Sequence, residues 1–253
     1  MMQFDVITIF PEMFEAVTRH GITRRALEEG GFDFRAWNPR DFVSDPHRTV
    51  DDRPYGGGPG MVMLPGPLEQ SIDAAVARQV AAGVERPQVV LLSPQGERLS
   101  QKRAIEYSGL EHLVLVCGRY KGVDERVSER LVDEELSLGD FVLSGGEAAA
   151  LCVVDAVARL LPGVVGTFDS VESDSFHSGL LDCAYYTRPA EYGGLAVPDV
   201  LLSGHHAQIA KARREEALRR TLERRPDLLE SAELSDEDRK VLRRLARERE
   251  AGA

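Results

Sequence analysis

Residues 88–117 read QVVLLSPQGERLSQKRAIEYSGLEHLVLVC. Two short apolar runs, Gln88–Ser93 (QVVLLS) and His112–Cys117 (HLVLVC), bracket a segment near Ser100–Ser108 with room for a helix of about ten residues. Runs this short and this uniformly apolar suit strands buried on both faces, the pattern of parallel sheets. Parallel neighbours need a crossover, usually a helix, so the stretch reads as a strand–helix–strand unit. The expected class is α/β with a mostly parallel sheet.

The flanking sequence extends the same alternation. Phe4–Phe10 (FDVITIF) reads as a strand, and Pro11-Glu12-Met13 suits a helix start. Phe32–Trp37 (FDFRAW) alternates like a half-buried strand. Leu68–Ala82 is helical by composition, with Pro67 near its start. Gly146–Leu161 is a long apolar helix ended by Pro162-Gly163. Then the texture changes. Gly166–Gly179 (GTFDSVESDSFHSG) is small, polar and acidic, and reads as a flexible linker or mobile loop. Two segments punctuated by Pro and Gly follow, TRPAEYGG and VPDVLLSG. The remainder is helix-rich, with a helix from Ser235 to about Arg249 whose first turn carries Asp236, Glu237 and Asp238, where the helix dipole favours negative charge. The expected organisation is an α/β domain over 1–165, a linker over 166–178 and a small helical domain over 179–253.

Composition narrows the function classes. At 43% hydrophobic and 29% charged residues, the 253-residue chain is an ordinary globular one. No apolar run approaches the roughly 20 residues that span a bilayer. The N-terminus MMQFDVITIF lacks a basic region and carries Asp5 inside its apolar run, so no signal peptide is expected and the cytoplasm is the expected location. Cys117, Cys152 and Cys183 fit no zinc spacing and read as reduced, buried thiols. The side chains of His205-His206 diverge on a helix or a strand, so no metal site is expected there.

The net charge of −11 argues against a general nucleic-acid coat. A local basic patch runs against that trend. From Lys211 to Arg225, seven basic residues stand against three acidic ones, a local charge of +4. Arg213, Arg220 and Arg224 share one helical face, while Leu218 and Leu222 lie on another, fit for packing. This helix is either a solvated face or a contact for an RNA backbone.

Three Gly-containing loops follow strand-like segments: LLSPQGERLS, CGRYKGVDER and SLGDFVLSGGE. Ligands of open α/β sheets bind outside the carboxyl ends of the strands, so the three loops suggest one pocket. None carries a phosphate fingerprint, neither GxxxxGK[ST] nor GxGxxG between strand and helix. YGGGPGM (55–61) also lacks a following lysine, and Asp51-Asp52 precede it. A ligand held by backbone amides and carbonyls remains open.

Taken together and in order, DDRPYGGGPGM, LLSPQG, CGRYKGVDER, SLGDFVLSGGE, DSF…GLLDCAYYTRP and VPDVLLSGHHAQI closely resemble the bacterial tRNA (guanine-N1)-methyltransferase family TrmD, of the SPOUT class. The resemblance runs from DVITIFPEMF to RRPDLL. It implies methyl transfer from S-adenosylmethionine to N1 of guanine at position 37 of tRNA. It also implies a deep trefoil knot in the first domain and an antiparallel homodimer with the active site between subunits. Carried over residue by residue, the cofactor positions are Leu92, Ser93 and Pro94; Gly118, Tyr120 and Gly122; and Ser137, Leu138, Gly139, Asp140, Phe141, Val142, Leu143, Gly145 and Gly146. Asp174 takes the role of general base, and Arg159 stabilises negative charge on guanine O6. The tRNA positions are Asp52, Gly57, Gly58, Ser175, Arg213, Arg220 and Arg224.

Simpler roles exist for both catalytic positions: Asp174 as a solvated linker acid, and Arg159 as a cation complementing a helix C-terminus. Two departures from the family pattern stand out. Lys121 replaces the usual Glu of RYEG, which puts any role of that acid in doubt. Mg2+ therefore stands only as an optional second cofactor. Ala212 replaces a Trp that often precedes the Arg in the helix after HHAQI. Other readings are a SPOUT-class RNA methyltransferase with a different target nucleotide, and an RNA-binding or assembly protein that uses the basic helix alone. A phosphate-binding hydrolase lacks both a Walker lysine and a His/Asp metal cluster.

Overall fold

The computed structural model of the chain describes residues 1–165 and 173–252. Two compact units divide it, Met1–Phe168 and Asp169–Ala253.

The first unit runs β1 (Met2–Ile7), α1 (Glu15–Thr18), α2 (Gly21–Glu28), β2 (Phe32–Trp37), β3 (Asp51–Asp52), β4 (Val62–Met63), α3 (Pro65–Ala81), β5 (Val89–Arg98), α4 (Gln101–Ser108), β6 (His112–Cys117), α5 (Glu125–Leu131), β7 (Glu134–Ser137) and α6 (Glu147–Ala158). Five strands form one sheet in the order β2-β1-β6-β5-β7, every pair parallel. The central strand β6 is buried along nearly its whole length, as its unbroken apolar run requires. Ile7, Leu68, Ile72, Leu91, Val114 and Val116 pack together under α3. Ala150, Val153, Val154 and Val157 are the buried side of α6.

A carboxylate of β1 lies inside this core. Asp5 is fully buried. It accepts hydrogen bonds from Trp37 Nε1 at 2.6 Å, Arg78 Nη1 at 2.7 Å and Gln79 Nε2 at 2.7 Å. A buried carboxylate needs such partners.

Several boundaries differ from the sequence reading. β1 ends at Ile7 rather than running to Phe10. Thr8 Oγ1 accepts the Phe10 N–H at 3.0 Å and turns the chain toward Pro11. β5 continues beyond Ser93. It pairs with β7 through Leu92, leaves the sheet, and pairs again at Glu97 and Arg98. At Gly96 a side chain would put its Cβ 2.2 Å from the Glu135 carbonyl carbon, so the chain passes β7 at backbone contact. α6 closes at Ala158, with Arg159 as its C-cap. The structure also contains α2, α5 and β7, three short elements that periodicity does not reveal.

The cysteine expectation holds for two of the three. Cys117 and Cys183 are buried, but Cys152 is exposed. It sits on α6 on the same side as Ala148 and Asp155, opposite the sheet-facing stripe.

In the second unit a hairpin, β8 (Glu191–Tyr192) and β9 (Leu195–Ala196), precedes α7 (Asp199–Leu202), α8 (His206–Arg224) and α9 (Asp236–Gly252). Its core is Leu180, Leu218 and Leu245, with Leu222 packed against them. Arg214 makes a bidentate pair with Asp238 at 3.0 Å, and Asp238 Oδ2 also accepts the Ser235 N–H and hydroxyl. The Arg214 guanidinium, foremost among these donors, pulls the Asp238 pKa from 3.8 down to about 2.

Residues 166–172 of the expected linker, including Asp169 and Glu172, lie outside the described residues. The stretch 173–179 is a turn tied to the segment immediately after it. Phe176 N–H donates to Leu180 O at 2.7 Å, and Asp182 N–H donates to Ser175 Oγ at 2.9 Å. Among the described residues, no helix is long and apolar enough to cross a membrane.

Candidate active site

Parallel pairing brings three strand ends side by side: Leu92 of β5 is in register with Cys117 of β6 and with Leu136 of β7. The loops leaving them, 93–96, 118–124 and 138–146, enclose a cleft of about 310 Å3. That volume lies at the lower edge of the range for small-molecule sites. The fold thus brings together most of the residues carried over for the cofactor. Leu92, Ser93, Pro94, Gly118, Tyr120, Gly122, Ser137, Leu138, Gly139, Phe141, Val142, Leu143, Gly145 and Gly146 all line the cleft. Asp140 does not; it is exposed, 3.7 Å from Arg98 in a surface ion pair.

The cleft's back wall is held by a pair that the motif reading passed over. Glu147, at the first turn of α6, is fully buried. Its Oε2 accepts from Arg119 Nε at 2.8 Å, and its Oε1 accepts from the Thr8 hydroxyl at 2.9 Å. Arg119 also lies over the Phe10 ring at 4.5 Å. Three separate segments (the end of β1, the loop after β6 and the start of α6) are thereby joined around one buried charge pair. Burial raises the pKa of the neighbouring Cys117 thiol well above its usual value, and Glu147 adds to the effect. Cys117 is fully buried and packs at the end of β6.

Gly145 and Gly146 leave room for this arrangement. A Cβ on Gly146 would lie 2.7 Å from Cys117 Cα, and one on Gly145 would lie 2.2 Å from Arg119 Nε. Gly146 N–H donates to Gly118 O at 2.9 Å, so the two loops are bonded backbone to backbone.

Tyr120 stands on the rim of the cleft in the left-handed region, at φ 61°. That conformation is uncommon for a residue with a side chain. Desolvation, followed by the Asp51 carboxylate, raises its phenol pKa. The next residue ties the cleft to the glycine-rich loop: Lys121 N–H donates to Met61 O at 2.9 Å, and the Lys121 side chain lies against Gly60. Gly56, Gly57 and Gly58 have φ of 82°, 77° and 111° and nothing within 4 Å of where a side chain would begin. Their need for glycine is conformational rather than steric. Asp52 precedes this loop on β3, exposed, its Oδ1 accepting the Arg53 N–H.

Arg159 and Asp174 are both partly buried. Arg159 caps α6 in the first unit. Asp174 belongs to the turn of the second unit, where its carbonyl accepts the His177 N–H at 3.3 Å and Phe176 takes a φ of 74°. Ser175, expected to face tRNA, accepts the Asp182 N–H.

The basic helix α8 is partly neutralised. Arg214 pairs with Asp238, Arg219 with Glu215 and Glu216, Arg220 with Glu216, and Arg225 with Asp227. Among the described residues, Arg213 and Arg224 make no ion pair. On sequence alone these two are indistinguishable from Arg220, which shares their face. Among the described residues no three His, Cys, Asp or Glu side chains group to hold a metal ion.

A family model described as tRNA (Guanine-1)-methyltransferase TrmD matches residues 2–231. Curated relatives carry the same activity in their names. A tRNA (guanine-N(1)-)-methyltransferase of Cupriavidus taiwanensis is 60% identical over 231 residues, 91% of this chain and 89% of the relative. The one of Burkholderia cenocepacia is 58% identical over 251 residues, 98% of this chain and 95% of the relative. That of Cupriavidus metallidurans is 59% identical over 249 residues, 97% and 96%.

Proposed function

The chain belongs to the tRNA (guanine-1)-methyltransferase TrmD family, and on that footing we propose that it methylates N1 of guanine 37 in tRNA, beside the anticodon, with S-adenosylmethionine as donor. The observation that carries the reading is the convergence of three loops, from β5, β6 and β7, on one cleft lined by all but one of the expected cofactor residues.

The residues fit the cofactor. Leu138 and Leu143 offer apolar walls, and the surrounding loops offer backbone donors and acceptors, the combination that an adenine ring requires. Bound there, S-adenosylmethionine supplies an electrophilic methyl group on a positively charged sulfur. The chain's own task is to make guanine N1 a nucleophile. N1 carries a proton at neutral pH, so its lone pair is free to attack only once that proton leaves. The Asp174 carboxylate accepts it. As it departs, negative charge builds on O6, and the Arg159 guanidinium complements that charge.

Arg159 and Asp174 belong to different compact units of one chain, and the active site is assigned to the interface of a homodimer, with one group from each subunit. Support comes from the rim of the cleft, where Phe141, Val142 and Leu143 are exposed by 54%, 86% and 42%. Contiguous apolar exposure of this kind marks an interaction surface. The knot and the cytoplasmic location rest on family membership.

The test is methyl transfer onto unmodified tRNA transcripts, with the product nucleoside identified by mass spectrometry. 1-Methylguanosine is expected. Methylation of a ribose or of another base would replace this reading with that of a different RNA methyltransferase.

A further inference from the structure

The second unit holds a cleft of its own, of about 260 Å3, between the extended segment at Cys183–Tyr186, the residues around Pro198–Leu201 and one side of α8. Its floor is apolar: Cys183, Ala184, Val200, Leu201 and Ala212. Ala212 contributes only a methyl group to this lining. Its rim is aromatic and cationic. Tyr186 lines the cleft and is 52% exposed, and its neighbour Tyr185 is 61% exposed. The Arg213 guanidinium lies 5.5 Å from the centre of the Tyr185 ring, and makes no ion pair among the described residues.

Two carboxylates, Glu215 and Glu216, also line the cleft. Each is held by two guanidiniums, Glu215 by Arg219 and Arg244, and Glu216 by Arg219 and Arg220. With Arg213, four guanidiniums surround two carboxylates.

This combination selects a ligand class. The carboxylate oxygens make the cleft a poor phosphate site. They also make it a good acceptor for the amino or imino N–H of a base. Unpaired bases are held by RNA-binding proteins through stacking on aromatic rings and guanidinium planes, and Tyr186 and Arg213 both line this cleft. The surplus of positive charge draws in the strand that carries the base. Building on the tRNA reading above, we propose that this cleft takes one unpaired nucleobase of the tRNA other than the target guanine, stacked on Tyr186 beside Arg213. It acts as a second point of attachment that fixes the tRNA relative to the helical unit.

The experiment is a binding cycle on the full-length protein, with tRNA transcripts carrying single abasic nucleotides through the anticodon loop. Tyr186→Ala is expected to weaken tRNA binding roughly 5- to 100-fold, the range for loss of one base stack. It should leave S-adenosylmethionine affinity unchanged, and Tyr186→Phe should bind as wild type. One abasic position should weaken wild-type binding and have no further effect in Tyr186→Ala. Wild-type binding by Tyr186→Ala, or losses that simply add at every abasic position, would overturn the proposal. So would an effect of Tyr186→Ala on self-association in place of tRNA affinity, which would make the cleft a contact between copies. If the wild-type protein methylates tRNA while the cycle shows no coupling, the cleft assignment fails alone. If the wild type fails to methylate tRNA, the underlying reading fails first.

Discussion

Glu147→Ala probes the buried pair that shapes the cofactor cleft. In the folded chain Glu147 is fully buried, and the side chain of its partner Arg119 is 17% exposed. Removing one member of a buried pair costs about 3–5 kcal/mol, because the other is left charged and uncompensated. Here the lower end applies. Arg119 keeps part of its exposure, a 3.3 Å contact to Ser144 O and its position over the Phe10 ring, the last worth about 0.5–1 kcal/mol. The expected loss is therefore about 3 kcal/mol, a shift in midpoint of roughly 6–12 °C for a chain of this size. Trp37 is the single tryptophan and sits on β2, so its fluorescence reports the first unit alone. Loosening of the loop bonded to Gly118 should also weaken S-adenosylmethionine binding about tenfold, a change equivalent to roughly 1.4 kcal/mol. Arg119→Ala should cost a similar amount. The double variant should cost clearly less than the sum, since the two side chains act as one unit. A Glu147→Ala protein that unfolds within about 1 kcal/mol of wild type, or single losses that add in the double variant, would show that the two charges do not depend on each other.

Three further outcomes rest on other parts of the molecule. Asp174→Ala should abolish methyl transfer while S-adenosylmethionine affinity, measured by calorimetry, stays within a factor of two; wild-type turnover would remove Asp174 from the role of base. Gly57→Ala and Gly58→Ala force a side chain into φ of 77° and 111°, at a cost of about 1–2 kcal/mol each, and kinetics should show tRNA turnover falling more than cofactor affinity; the reverse order would move this loop into the cofactor site. In the helical unit the Asp238 pKa is depressed from 3.8 to about 2 by Arg214, so its stabilisation is fully present above pH 3.8 and is lost as the pH falls through 2. Discounted for solvent around the half-exposed Arg214, Asp238→Asn should cost about 1–2 kcal/mol at neutral pH. By helical circular dichroism that difference should shrink as the pH falls toward 2 and vanish below it, and an unchanged difference there would contradict it.

How much of this was legible depended on whether a feature is local. Strand β6 was readable because HLVLVC is buried along nearly its whole length and needs no context. β7 was not, since EELS is four residues long with two acids in it. The structure places Glu134 beside Tyr107 and Arg103 of α4, partners about 30 residues away in sequence. The loops of the cleft could be found from their glycines and the order of their motifs, but the reason for those glycines could not. Gly146 is small because Cys117 lies behind it, and Gly96 because β7 lies behind it. Arg119 and Glu147 looked like two ordinary charges 28 residues apart, and only folding makes them a pair. Cys152 was expected inside because cysteine usually is; its helix turns it outward. On α8 the excess of arginine was plain, and Glu215 and Glu216 pair with Arg219 and Arg220 along the helix itself; the pairing of Arg214 depends on an acid of another element, Asp238.

Whether this chain carries one methyl group to one atom of one nucleotide is decided by single-turnover transfer to two tRNA transcripts. The transcripts differ only at position 37, guanine in one and adenine in the other. The expected products are 1-methylguanosine at position 37 of the first and no methylation of the second. Transfer to the adenine transcript, or a methyl group found at any other nucleotide of the guanine transcript, would be incompatible with the proposed activity.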